Sequence, residues 1–254
     1  MPMALTPKML LIVCPLLFLT GFVDAIAGGG GLISLPAYLL AGLPIHTAIG
    51  TNKLSSACGT TLTTARFIRR GLVNWRLGIP GAAVALLGSA LGSRLSLVTD
   101  ERVMRGILFV VLPLAAFVVL NRRFFPENDS QTAVADRRTL CVCVLAALTI
   151  GFYDGFYGPG TGTFLIIAFT VFAKLGVKPA NAHAKVINLT TNLTSLAVFL
   201  HGGTVLISLG LVGAACNMLG SWVGSGLALD KGTKITRPII LVVLALLFLK
   251  ILSE

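Results

Sequence analysis

One ten-residue block occurs twice in this chain, about 130 residues apart, and both copies lie in apolar sequence. Gly21-Phe22-Val23-Asp24-Ala25-Ile26-Ala27-Gly28-Gly29-Gly30 returns as Gly151-Phe152-Tyr153-Asp154-Gly155-Phe156-Tyr157-Gly158-Pro159-Gly160. Residues 77–95 match residues 209–227 at 11 of 19 positions, including Gly78/Gly210, Gly81/Gly213, Gly88/Gly220, Ser89/Ser221, Gly92/Gly224 and Ser93/Ser225. Between these blocks Lys53 falls on Lys185, and Gly71 on Gly203. The matched positions are mostly glycine and polar residues, which contact with lipid would not select. Two related halves, each with an acidic residue beside a glycine-interrupted apolar segment, carry the pattern of a site built between membrane repeats.

Composition sets the solvent. Apolar residues make up 56% of the chain and charged ones 11%, with a mean hydropathy of +0.92. Soluble domains are about 45–50% apolar and about 25% charged, so this chain has too little polar surface to cover itself in water. Its 254 residues, at about 20 per span, allow roughly eight to ten helices, with no stretch left for a soluble domain. The net charge of +11 does not indicate nucleic acid. Many of the basic residues sit between apolar stretches, where they set topology and meet anionic headgroups.

Cys14, Cys58, Cys141, Cys143 and Cys216 all fall in apolar stretches, and an odd count without paired loop spacing argues against a disulfide framework. Cys141 and Cys143 diverge on a helix and have no nearby histidine, so they are read as packing residues. The N-terminus imitates a signal peptide, with Lys8, an apolar run and Ala25-Ile26-Ala27. Because the same Gly-Phe-x-Asp pattern recurs at residue 151, the segment is expected to belong to the fold.

The expected fold class is an all-α polytopic membrane protein made of two inverted repeats of about four helices each, with glycine-broken helices and short re-entrant half-helices. Residues 1–121 form the N-terminal membrane repeat, 122–138 a polar linker expected in the cytoplasm, and 139–254 the C-terminal membrane repeat. Helices are expected over residues 9–27, 46–68, 77–97 and 103–120, and again over 139–157, 179–200, 205–229 and 235–252. Short pieces over 32–40 and 163–173 are too brief to span a bilayer. Arg66, Arg69, Arg70 and Arg76 surround the loop after the polar helix of the first half, and its counterpart holds only His201. With basic loops in the cytoplasm, these equivalent loops lie on opposite sides and the repeats are inverted. Arg94, Arg102 and Arg105 run against the pattern.

Several residues are placed to carry chemistry. Asp24 and Asp154 end apolar helices, where an ionisable group is expensive and functional by default; an aspartate capping the following half-helix fits equally. Gly28, Gly29 and Gly30, with Gly158 and Gly160, permit unusual backbone angles and precede short helices whose N-termini suit anions; tight helix packing is the alternative. Lys53 and Lys185 occupy equivalent positions near the start of a polar helix. Two readings stand there, a cationic pair at a shared cavity and snorkelling to the interface. Asn52, Ser56, Asn188 and Asn192 lie within two turns as neutral hydrogen-bonding groups. His183 precedes Lys185 by two residues and points elsewhere, as a candidate proton-coupling group. No phosphate-binding loop, zinc motif or serine elbow occurs, so neither enzyme activity nor a cofactor or metal is expected.

The segment from Gly21 through Gly31, the run Ile49-Gly50-Thr51-Asn52-Lys53-Leu54, the cluster Gly158-Pro159-Gly160-Thr161-Gly162 and Ala182-His183-Ala184-Lys185-Val186-Ile187-Asn188 together resemble the sulfite exporter TauE/SafE family, also called toluene sulfonate uptake permeases. The likeness covers nearly the whole chain. It implies a multi-pass transporter of the bacterial inner membrane that moves sulfite, organosulfonates or other small sulfur-containing or organic anions. The expected function is secondary transport of a small anion by alternating access. A passive anion channel is the alternative, and an intramembrane enzyme a more distant one. The expected partners are the anion and the lipid bilayer, with a proton or ion gradient as candidate driving force and a homodimer as candidate assembly.

Overall fold

The computed structural model describes residues 5–104, 106, 107, 110 and 136–231. Most of the helix expected over 103–120, all of that over 235–252 and most of the 122–138 linker lie outside these residues. The described chain is helical throughout. Helix α1 (Pro7–Ala27) starts at Thr6, whose hydroxyl accepts from the Met9 N–H at 3.3 Å. It stops at Gly28, where φ is +77° and the N–H still bonds to the Asp24 carbonyl. Glycine alone enters that backbone region without strain.

After the break come α2 (Gly31–Leu40), α3 (Ile45–Arg69) and α4 (Trp75–Val98). The second half runs α5 (Arg137–Phe156), α6 (Thr161–Ile167), α7 (Val177–His201) and α8 (Ile207–Lys231), with a π-helical turn over Ala168–Phe172 extending α6. The last residues of the expected linker are therefore helical: Asp136 caps α5 by accepting from the Thr139 N–H at 2.7 Å. Residues 7–27 pack as an integral helix of the bundle.

Four of these helices, α1, α4, α5 and α8, are long and apolar enough to cross a membrane. Helices α3 and α7 have 25 residues each, about 37 Å at 1.5 Å per residue, but carry polar sequence; none of residues 45–60 or 177–192 is exposed, whereas Ile68, Leu193 and Leu200 further along are. Burial runs opposite to that of a soluble protein. Leu86, Leu87, Leu91, Leu211, Leu219 and Trp222 are exposed, whereas Thr51, Ser55, Ser89, Ser93, Thr191 and Ser195 are completely buried. An apolar exterior around a polar interior is stable when the surroundings are lipid.

The halves interlock by exchange. Helix α4 lies along α5, and its repeat partner α8 lies along α1; α3 packs on α8 as α7 packs on α4. Glycine makes the close approach possible. A Cβ on Gly88 would come within 2.5 Å of the Leu148 carbonyl oxygen, and one on Gly220 within 1.8 Å of the Phe18 carbonyl oxygen. Leu148 and Phe18 are themselves 130 residues apart, so the contact repeats with the sequence. Gly88/Gly92 and Gly220/Gly224 thus form small-residue seams at four-residue spacing, the usual device for bringing helices together in lipid.

Candidate functional site: a polar cavity where the two breaks cross

The two glycine breaks touch backbone to backbone. A Cβ on Gly28 would lie 2.3 Å from the Gly162 carbonyl carbon, and one on Gly162 would lie 2.6 Å from the Gly28 Cα. The Thr163 N–H donates to the Gly28 oxygen at 3.2 Å, and the Thr163 hydroxyl to the Ala27 oxygen at 2.9 Å. The Asn181 amide donates to the Ala25 and Ile26 oxygens. The carbonyls released at the end of α1 are therefore satisfied inside the protein, as the absence of water at membrane depth requires.

Each break carries an aspartate, and each aspartate pairs with the lysine of the other half. Lys53 Nζ lies 2.9 Å from Asp154 Oδ2, and Lys185 Nζ lies 2.6 Å from Asp24 Oδ2. The lysine side chains are 1% and 0% exposed, so neither reaches an interface. Lys185 also donates to the main-chain oxygen of Asp24. The free carboxylate oxygens turn back on the breaks: Thr161 donates its hydroxyl to Asp154 Oδ1 at 2.8 Å, and the Gly30 N–H reaches Asp24 Oδ1 at 3.4 Å. The aspartates thus tie the broken backbone and neutralise the lysines together. Removing one member of such a pair leaves a buried charge and costs about 3–5 kcal/mol.

Beside these pairs lies a cavity with about 380 Å³ of space not filled by atoms, its open mouth included. Its glycine edges are Gly28, Gly30, Gly31, Gly158 and Gly162, and its charged walls are Asp24, Lys53 and Asp154. Asn52, Ser56 and Thr60 enter from α3, Asn188 and Asn192 from α7, Asn217 from α8, and Thr20 from α1. Three amide oxygens in this wall are already used. Ser56 donates to Asn52 Oδ1, Asn192 to Asn188 Oδ1 and Ser221 to Asn217 Oδ1, each at 3.2 Å. Each of Asn52, Asn188 and Asn217 also carries an amide NH2, so the wall they share with Lys53 is supplied with hydrogen-bond donors.

Of the residues singled out in sequence, Gly28, Gly30, Asn52, Lys53, Gly158, Asn188, Asp24 and Asp154 line this cavity. Lys185 sits behind Asp24 and does not. Gly29 packs against Thr163, and Gly160 holds the left-handed turn that starts α6 at φ +85°. His183 bridges α7 to the loop before α4: its Nδ1 lies 2.7 Å from the Pro179 oxygen and its Nε2 accepts from the Asn74 N–H at 3.1 Å. Sequence reasoning missed Asn217 and Thr20. Asn217 carried a signal, since a single amide in the middle of an apolar helix is expensive unless something inside uses it. Gly59 makes room for it, because a Cβ there would strike Asn217 Oδ1 at 1.8 Å.

Comparison with known proteins agrees with this architecture. The family model described as sulfite exporter TauE/SafE matches residues 13–251. The chain belongs to that family. A probable membrane transporter protein of Sinorhizobium is 37% identical over 238 residues, covering 93% of this chain and 90% of its own length. One of Haemophilus influenzae is 37% identical over 226 residues, covering 89% and 87%. The probable membrane transporter YfcA of Escherichia coli is 36% identical over 236 residues, covering 93% and 87%. No solved structure gives a significant match. The protein is accordingly a multi-pass membrane transporter of the TauE/SafE family.

Proposed function

We propose that the protein is a secondary transporter of the bacterial inner membrane that moves a small anion, sulfite or an organosulfonate first among them, through the cavity at the crossed breaks. The observation that carries this reading is the donor set. Lys53 and the amide-bearing Asn52, Asn188 and Asn217 line one space, and donors of these types offer an oxyanion several hydrogen bonds, the one from the ammonium charge-assisted. The N-terminal end of α2 adds partial positive charge through Gly30 and Gly31, which border the same space. The exchange of helices between the halves supports alternating access of two inverted repeats about this point, with the site remaining central while one half rocks against the other.

The test is flux in proteoliposomes with a panel of sulfite, thiosulfate, sulfoacetate and alkylsulfonates. Saturable uptake of at least one, concentrated against its gradient when a proton or ion gradient is applied, supports the transporter. Uptake that never exceeds the imposed anion gradient supports a channel. Absence of flux for every anion removes the reading.

A further inference from the structure

Four charges meet at the crossing, and three of them line the cavity. Lys53 faces it from α3, Asp154 from α5 and Asp24 from α1, while Lys185 of α7 stands behind Asp24. The remaining walls, including Thr20 of α1, Asn217 of α8 and Thr161 of α6, are neutral. The four charges sum to zero. A monoanion entering beside two carboxylates would leave one uncompensated negative charge in an enclosed site, which protein interiors oppose strongly.

We propose that Asp24 takes up one proton for each monoanion bound, so that proton and anion cross together and no net charge moves. This rests on the anion-transport reading above and deepens it. The two aspartates are not equivalent. Asp154 is 3% exposed, and its oxygens are held by the Thr161 hydroxyl at 2.8 Å and by Lys53 at 2.9 Å. Asp24 is 15% exposed; Lys185 holds its Oδ2 at 2.6 Å, but its Oδ1, the oxygen left to take a proton, has only the long 3.4 Å contact from Gly30. Lys185 also donates to the Asp24 main-chain oxygen, so protonating the carboxylate does not strip the ammonium of its acceptor. In the exchange the Asp24 carboxylate and a proton become the carboxylic acid. The two lysines and Asp154 then carry one net positive charge, and the bound monoanion cancels it. The anion joins Asp154 at Lys53, the ammonium that faces the cavity. Release on the other side returns the proton with the anion.

The test uses methanesulfonate, which stays ionised at any working pH and brings no proton of its own. Full-length protein in proteoliposomes with an internal pH-sensitive dye is expected to acidify the lumen by one proton per methanesulfonate taken up, at a rate that an imposed membrane potential leaves unchanged. Asp24→Asn is expected to lose the proton movement, and Asp24→Glu to keep it. Methanesulfonate uptake that carries current without protons overturns the inference and leaves the transporter reading standing. Proton movement that persists with uptake in Asp24→Asn overturns the assignment to Asp24. No methanesulfonate uptake by the unmodified protein overturns the inference on its own substrate; loss of flux across the wider panel also removes the anion-transport reading. Should Asp24→Asn fail to insert, the proton count and voltage insensitivity of the unmodified protein decide the matter.

Discussion

Gly162→Ala and Gly29→Ala place the same methyl group on the two sides of the crossing, with very different consequences. At Gly162 the added carbon would lie 2.6 Å from both the Cα and the carbonyl oxygen of Gly28. Carbon atoms rest at about 3.5–4.0 Å, so the breaks must part by roughly 1 Å, and backbone atoms have no rotamer through which to yield. That parting also pulls on the bond from the Thr163 N–H to the Gly28 oxygen, already 3.2 Å long. Overpacking costs about 1–3 kcal/mol and the weakened hydrogen bond about 0.5–1.5 kcal/mol, together roughly 2–4 kcal/mol. At about 2–4 °C per kcal/mol for a chain of this size, the thermal midpoint falls by roughly 5–15 °C. At Gly29 the nearest atom is the Thr163 hydroxyl at 3.4 Å, a side chain that can rotate, and the midpoint moves by about 2 °C or less. Tryptophan fluorescence of detergent-purified protein, reporting through Trp75 and Trp222, measures both. Equal midpoints for the two variants would refute the backbone contact between the breaks.

Lys53→Ala leaves Asp154 buried without its cation and is expected to reduce folded protein in the membrane, at a cost of about 3–5 kcal/mol. The double variant Lys53→Ala/Asp154→Ala removes both charges and restores folding but not transport, and a double variant as unstable as the single one speaks against the pair. Gly220→Ala drives a Cβ into the Phe18 oxygen at 1.8 Å, whereas at Gly226 the nearest atom is 3.6 Å away. Only the first should loosen α1 from α8, read as a lower thermal midpoint. Cysteines placed singly at Arg70 and Gly202 in a cysteine-free background are expected to react with impermeant thiol reagents from opposite sides of the membrane; labelling from one side would end the inverted-repeat account.

The duplication made much of the architecture legible. The glycine breaks, the short second helix of each half and the polar third helix all appear close to their expected places, because glycine interruption and hydropathy act locally. Expecting Lys53 and Lys185 as a matched pair at one cavity was a symmetry argument, and the structure makes them unequal: one faces the space, the other stands behind Asp24. Which lysine meets which aspartate depends on how the halves interlock, a long-range property that no local pattern encodes. Asn217 went unnoticed because its repeat counterpart is Ala85, so a method that looks for matched positions passes over it. His183 shows the reverse error of emphasis. A histidine beside a functional lysine invites a proton role, yet its ring is used in joining α7 to the chain before α4.

The central claim is that the space between Lys53 and the three amides holds the transported anion. Ser56 is half-buried at its edge, so Ser56→Cys in an otherwise cysteine-free chain puts a thiol at the site. The rate at which a small anionic methanethiosulfonate reagent modifies that thiol, with and without the transported anion, tests the claim most directly. Modification that abolishes flux and is slowed by the anion, with half-protection at the concentration that half-saturates transport, is the result predicted. Modification at an unchanged rate in saturating anion, with flux intact afterwards, would contradict it.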